Sequence, residues 1–129
     1  MENRHIVHGW LVDPAAREAL LALHPPRYEQ VVAEHVTFKA GPEERAMPEV
    51  DHCLALGMSD DGLGVQALVV AIDGTTDRPD GSTWHITWSL AEGRRAKESN
   101  DVIAALGWQA LAEPRHIPLI PGWWTWTSG

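Results

Sequence analysis

Two tetrapeptides in this chain repeat one pattern. His35-Val36-Thr37-Phe38 and His85-Ile86-Thr87-Trp88 both read His, apolar, Thr, aromatic. Polar and apolar residues alternate with period two, the period of a strand. His35 and Thr37 then share one strand face, with Val36 and Phe38 on the other. In the second copy His85 and Thr87 share a face, and Trp84, Ile86 and Trp88 point away. A fold for this chain must bury two aromatic strand faces and leave an imidazole and a hydroxyl behind each. If the polar faces meet, two imidazoles and two hydroxyls line one groove, with the aromatics packed behind them as core.

The chain has 129 residues. That length fits a single domain, 1–129, and allows roughly two-thirds of the unfolded surface to be buried. Residues 6–12 read as a first strand. Asp13 then suits a helix N-cap, with Pro14 at the first helical position. Ala19, Leu20 and Leu23 follow at helical spacing, and Pro25-Pro26 stops the helix. Residues 32–40 read as a second strand and 42–48 as a charged loop. Residues 50–57 and 65–72 form a hairpin about Ser59-Asp60-Asp61-Gly62. A polar loop at 74–81 precedes a strand at 83–90. Ser99 or Asn100 is placed to cap a helix over about 101–106. Residues 117–126 read as a last extended segment, confined to a sheet edge by Pro118 and Pro121. Mostly antiparallel strands with two main helices make an α+β pattern.

Composition narrows the partners. The formal net charge is −8, with only ten Lys and Arg. A grip on long duplex nucleic acid needs many cations to neutralise phosphates, so the expected ligand is small and held by a local site. One cysteine, Cys53, excludes an internal disulfide framework and a Cys-rich zinc site. Asp51-His52-Cys53 reads as a strand with a buried thiol, and no metal or other cofactor is expected. A chain without a signal peptide, a disulfide or a long apolar run suits the cytoplasm, away from membranes.

Two imidazoles facing one groove suit hydrolysis of a phosphodiester. A neutral histidine takes a proton from the attacking water, and a protonated one gives a proton to the leaving oxygen. Threonine hydroxyls can donate to the non-bridging phosphate oxygens. On this reading His35 and His85 are catalytic, and Thr37 and Thr87 bind phosphate. Lys39, on the face of His35, and Ser89, on that of His85, are candidate substrate contacts. Tyr28 and Trp10 are candidates for stacking on a base, as are Trp123, Trp124 and Trp126. The tail tryptophans are alternatively suited to sealing a homodimer.

The motif pair resembles that of the 2H (two-histidine) phosphoesterase superfamily, whose signature is two His-apolar-Thr/Ser-apolar segments. Ala96-Lys97-Glu98-Ser99-Asn100, after His85-Ile86-Thr87, looks like the Glu-Ser-Asn helix start of tRNA-ligase-type cyclic phosphodiesterase domains. Gly9-Trp10-Leu11-Val12 looks like the opening of short phage and RNA-repair-associated members. The resemblance covers most of residues 6–106. It implies a bilobal fold, with antiparallel sheets around a central cleft, and metal-independent catalysis by both histidines. The implied substrate is a 2′,3′-cyclic phosphate on a small nucleotide or RNA end. Degradation of 3′–5′ cyclic oligonucleotide signals, or nucleotide binding without catalysis, are the alternatives. His35 and His85 lie only 50 residues apart. That leaves little room for a lid or a long RNA-binding insertion.

Overall fold

The computed structural model describes residues 3–39 and 46–128. The chain is α+β, with seven strands in one antiparallel sheet and two helices. The strands are β1 (Asn3–Val12), β2 (Gln30–Val31), β3 (His35–Phe38), β4 (His52–Asp60), β5 (Val65–Ala71), β6 (His85–Leu90) and β7 (Gln109–Ser128). The helices are α1 (Pro14–Leu23) and α2 (Glu98–Leu106). Strand order across the sheet is β2-β6-β5-β4-β7-β1-β3. Among the described residues no helix is long and apolar enough to cross a membrane.

Local chemistry explains the first elements. The Asp13 carboxylate accepts the Ala16 N–H at 3.0 Å, and Pro14 opens α1 as expected. The helix buries Leu20, whereas Leu23 is half exposed, so its apolar face is narrower than the spacing suggests. The β4–β5 hairpin forms as expected. The Asp61 carboxylate accepts the N–H groups of Leu63, Gly64 and Val65 in its turn.

The expected strand at 32–40 is split in two. Gln30 and Val31 pair with Leu90 and Ser89 of β6. Val32 and Ala33 continue beside β6, donating to the carbonyls of Trp88 and Thr87. At Ala33 the backbone turns left-handed, with φ at 48°. The chain then crosses to pair with β1, Leu11 opposite His35. Arg17 of α1 holds this crossing by donating to the carbonyls of Val32 and Ala33, each at 3.0 Å. Ala40 and most of the expected 42–48 loop lie outside the described residues.

The last segment lies inside the strand order, yet it keeps an edge on one side. β7 runs between β4 and β1, pairing with β4 through Pro118 and with β1 from Leu119 onward. Each half thus has one partner at a time. That leaves an open side where the missing N–H groups of Pro118 and Pro121 cost no ladder bond.

The aromatic faces of the two motifs meet in the core, as the alternation requires. Trp10 and Trp84 cross edge-to-face at 5.6 Å between centroids, and Phe38 lies 6.3 Å from Trp84. Val36, Ile86 and Trp88 are fully buried around them. Trp10, a candidate for base stacking, has no exposed surface and is a core residue instead. β1 and β3 approach so closely that a Cβ on Gly9 would overlap the Val36 carbonyl oxygen, whereas one on Gly122 would meet only Leu11 Cδ1 at 4.0 Å. Gly9→Ala is therefore expected to cost about 2 kcal/mol or more in urea unfolding, and Gly122→Ala under about 1 kcal/mol. Equal costs would contradict the close approach.

Candidate functional site

The site lies where the two ends of the sheet approach each other. Antiparallel pairing of residues 30–33 with β6 leads β3 toward the start of β6. β3 packs against β6, and the His35 charge adds a minor part to the lowering of the His85 pKa. His35 and Thr37 are half-buried, on the face of β3 away from the core. His85 and Thr87 are buried on the corresponding face of β6, and the Thr87 hydroxyl meets Ser99 of α2.

His85 is held in one tautomer. Its Nδ1 lies 2.9 Å from the Thr83 carbonyl oxygen, which can only accept, so Nδ1 carries the proton. Nε2 is then left as a free base. Burial, with lesser contributions from the nearby charges of Arg78 and His35, pushes the His85 pKa from 6.5 down to about 4. Burial also lowers the pKa of His35, against the opposing pull of Glu34. A tryptophan ring contributes to that burial: Trp124 lies 4.4 Å from the His35 ring, centroid to centroid.

Arg78 joins the parts. The residue is only 3% exposed. It donates to the Thr37 carbonyl at 3.2 Å and to Asn100 Oδ1 at 3.1 Å. Its Nε donates to Ser82 Oγ at 2.7 Å, and the Asp80 carboxylate neutralises it at 3.1 Å. β3, α2 and the 74–81 loop thus meet on one planar cation. α2 starts earlier than expected, with Lys97 at the N-cap and no side-chain cap bond. Ser99 and Asn100 are therefore not caps. Ser99 Oγ lies 2.9 Å from the Thr87 hydroxyl, and Asn100 holds Arg78. Thr87 Oγ1 also reaches the Ala96 carbonyl at 3.3 Å.

The peripheral candidates fall elsewhere. Ser89 is fully buried, and its hydroxyl donates to Gln66 and accepts from Tyr28 N–H. A register shift between Gln66 and Ala67 sets Ser89 opposite Gln66, out of the His85–Thr87 row, so it is not a substrate contact. The Tyr28 hydroxyl donates to Asp60 at 2.6 Å, which places Tyr28 with Arg27 and Asp60 and away from the histidines. Lys39 is exposed just beyond β3. Trp123 is 65% exposed on the strand face opposite Trp124, and the Trp126 side chain lies outside the described residues.

Two surface grooves, of about 380 and 490 Å³, run beside Arg27, Met58 and Gln109; neither is lined by His35 or His85. Arg27 is paired with Asp60 there. His24, whose pKa is lowered by burial and by the Arg115 charge, lines the larger groove without a second histidine, so two-imidazole chemistry favours His35 and His85 over groove size. Cys53 is buried, and burial pushes its thiol up to about 12, so it is inert as a nucleophile. Among the described residues no three His, Cys, Asp or Glu side chains converge as metal ligands. Comparisons of the chain with protein families, curated proteins and solved structures found no match.

Sequence reasoning missed Arg78, which sits inside a polar loop and looks solvated. The signal was its setting between Asp77 and Asp80 with Ser82 close by, enough to neutralise and hold a buried guanidinium.

The depressed His85 pKa makes stability depend on pH. Below 6.5 the unfolded chain takes up a proton that the folded chain refuses until about pH 4. Stability therefore falls as pH drops through this window, by about 2 kcal/mol between pH 7 and pH 5 for His85 alone. Urea unfolding at the two pH values should show this loss, and His85→Gln should remove most of it. An unchanged pH dependence in the variant would contradict the assignment.

Proposed function

We propose that this chain is a phosphodiesterase that opens a 2′,3′-cyclic phosphate on a small nucleotide or RNA end by histidine acid–base catalysis. The carrying observation is that the His85 Nδ1–H is fixed on the Thr83 carbonyl, leaving Nε2 as the base, on a strand packed against the other motif strand. The two half-sheets that share β7 would be the lobes of a 2H-type fold.

His85 Nε2 takes a proton from water as the water oxygen bonds to phosphorus. His35, protonated, gives its proton to the ribose oxygen as the P–O bond breaks. The products are a phosphomonoester and a free hydroxyl, and one proton exchange returns both rings to their starting forms. The anionic diester itself favours the His35 imidazolium, offsetting the burial that otherwise disfavours it. Thr37 would donate to a non-bridging oxygen. Thr87 would do the same by exchanging its 3.3 Å bond to Ala96 for one to phosphate. Buried donors are worth more here than in water. The site needs no broad positive field, which agrees with a net charge of −8.

His35→Ala and His85→Ala should each lower kcat/KM on a nucleoside 2′,3′-cyclic phosphate by about 10²–10⁴-fold, with activity unaffected by EDTA. Because both histidine pKa values are lowered, the kcat/KM profile should be bell-shaped, with its maximum on the acid side of pH 6.5. Full activity in the double variant, loss in chelator alone, or a flat profile would overturn the mechanism.

A further inference from the structure

The face of β1 and β7 that flanks His35 carries an unusual row. Gly9 pairs with Thr37 on one side and with Gly122 on the other, so this row has no side chain between Thr37 and the far edge of the pair. One row away, Val7 pairs with Trp124. The empty glycine row lets the Trp124 ring lean across it. Its Cη2 atom lies 3.1 Å from where a Gly9 Cβ would stand, and the ring reaches His35 at 4.4 Å. In the next row, Leu11 and Ile120 are paired with each other and are 42% and 50% exposed. An indole and two aliphatic side chains thus form an apolar, partly open surface beside a candidate catalytic imidazole.

We infer that Trp124, lying over Gly9 beside His35, is the floor of a nucleobase subsite, so that the diester held at the two histidines belongs to a nucleotide. The inference rests on the phosphodiesterase reading for its position and adds the recognition of the base. Three observations favour a base as occupant. The surface is continuous with the histidine that would protonate the ribose oxygen, and in a nucleotide the base is carried on that same ribose. An aromatic ring next to aliphatic contacts suits the flat, apolar face of a base. Arg78, the buried cation that contacts β3, is already paired with Asp80, which leaves uncharged contacts to add affinity for a small anionic ligand.

The test compares wild type, Trp124→Ala and Trp124→Phe on two substrates with the same reacting ring. One is adenosine 2′,3′-cyclic phosphate, and the other is methyl riboside 2′,3′-cyclic phosphate, which has no base. Calorimetry with adenosine 2′-monophosphate and with methyl riboside 2-phosphate reads binding without turnover. Trp124→Ala should raise the KM for the adenosine substrate and the Kd for its monophosphate by about 5- to 150-fold. The base-free ligands should be little affected, and Trp124→Phe should keep most of the preference. An equal effect on both ligands would mean that Trp124 only packs His35, and would overturn the inference. So would a change from dimer to monomer without loss of base preference. If wild type turns over neither substrate but Trp124→Ala still weakens the adenosine ligand alone, the subsite stands and the hydrolase reading fails.

Discussion

The Arg78 guanidinium ties together three segments that are far apart in the chain. Its donors satisfy the Thr37 carbonyl of β3, Asn100 of α2, and Asp80 and Ser82 of its own loop. A charge this deeply buried is tolerated only when paired and fully hydrogen-bonded, and removing one partner is far costlier than forming the set. The loop, β3 and α2 are therefore committed to one arrangement. That arrangement packs β3 against β6 and sets Ser99 of α2 on the Thr87 hydroxyl. The same positive charge helps keep His85 unprotonated. One interaction thus joins the segments around both motifs and adds to the burial that keeps His85 neutral.

Behind this polar layer the aromatic faces of both motif strands pack against Trp10. The two sides of each motif divide the work: Val36, Phe38, Ile86 and Trp88 bury apolar area, and the His-Thr rows face away from it. A one-residue slip of either strand would exchange these faces, burying an imidazole in the core and exposing Phe38 or Trp88. The Ala33 crossing, gripped by Arg17, protects that register on the β3 side.

What could be read from the sequence was what depends on short-range order. The Asp13-Pro14 cap, the β4–β5 turn and the alternating faces of the motifs each involve neighbours within a few residues, and all three appear in the structure. What could not be read depends on partners brought together by the sheet. Pro118 and Pro121 suggest an edge, but β7 changes partner along its length and leaves each proline an open side. Ser99 and Asn100 have cap chemistry, yet their side chains serve Thr87 and Arg78. Ser89 continues the motif row by parity until a register shift removes it. Trp10 suits a base platform by residue type, but the alternation of β1 turns it inward. Trp124, on the other strand face from exposed Trp123, is the tail tryptophan that meets a motif histidine.

Catalysis as proposed requires His85 to be a neutral base that shares one site with His35. Long-range proton–nitrogen spectra of the imidazoles test this directly, recorded from pH 7 to pH 4 with and without adenosine 2′-monophosphate. The free protein should show His85 as the Nδ1–H tautomer, remaining neutral until close to pH 4, and the nucleotide should shift the resonances of both histidines and raise both pKa values. A His85 that titrates near 6.5, or a nucleotide that perturbs neither ring or only one, would contradict it.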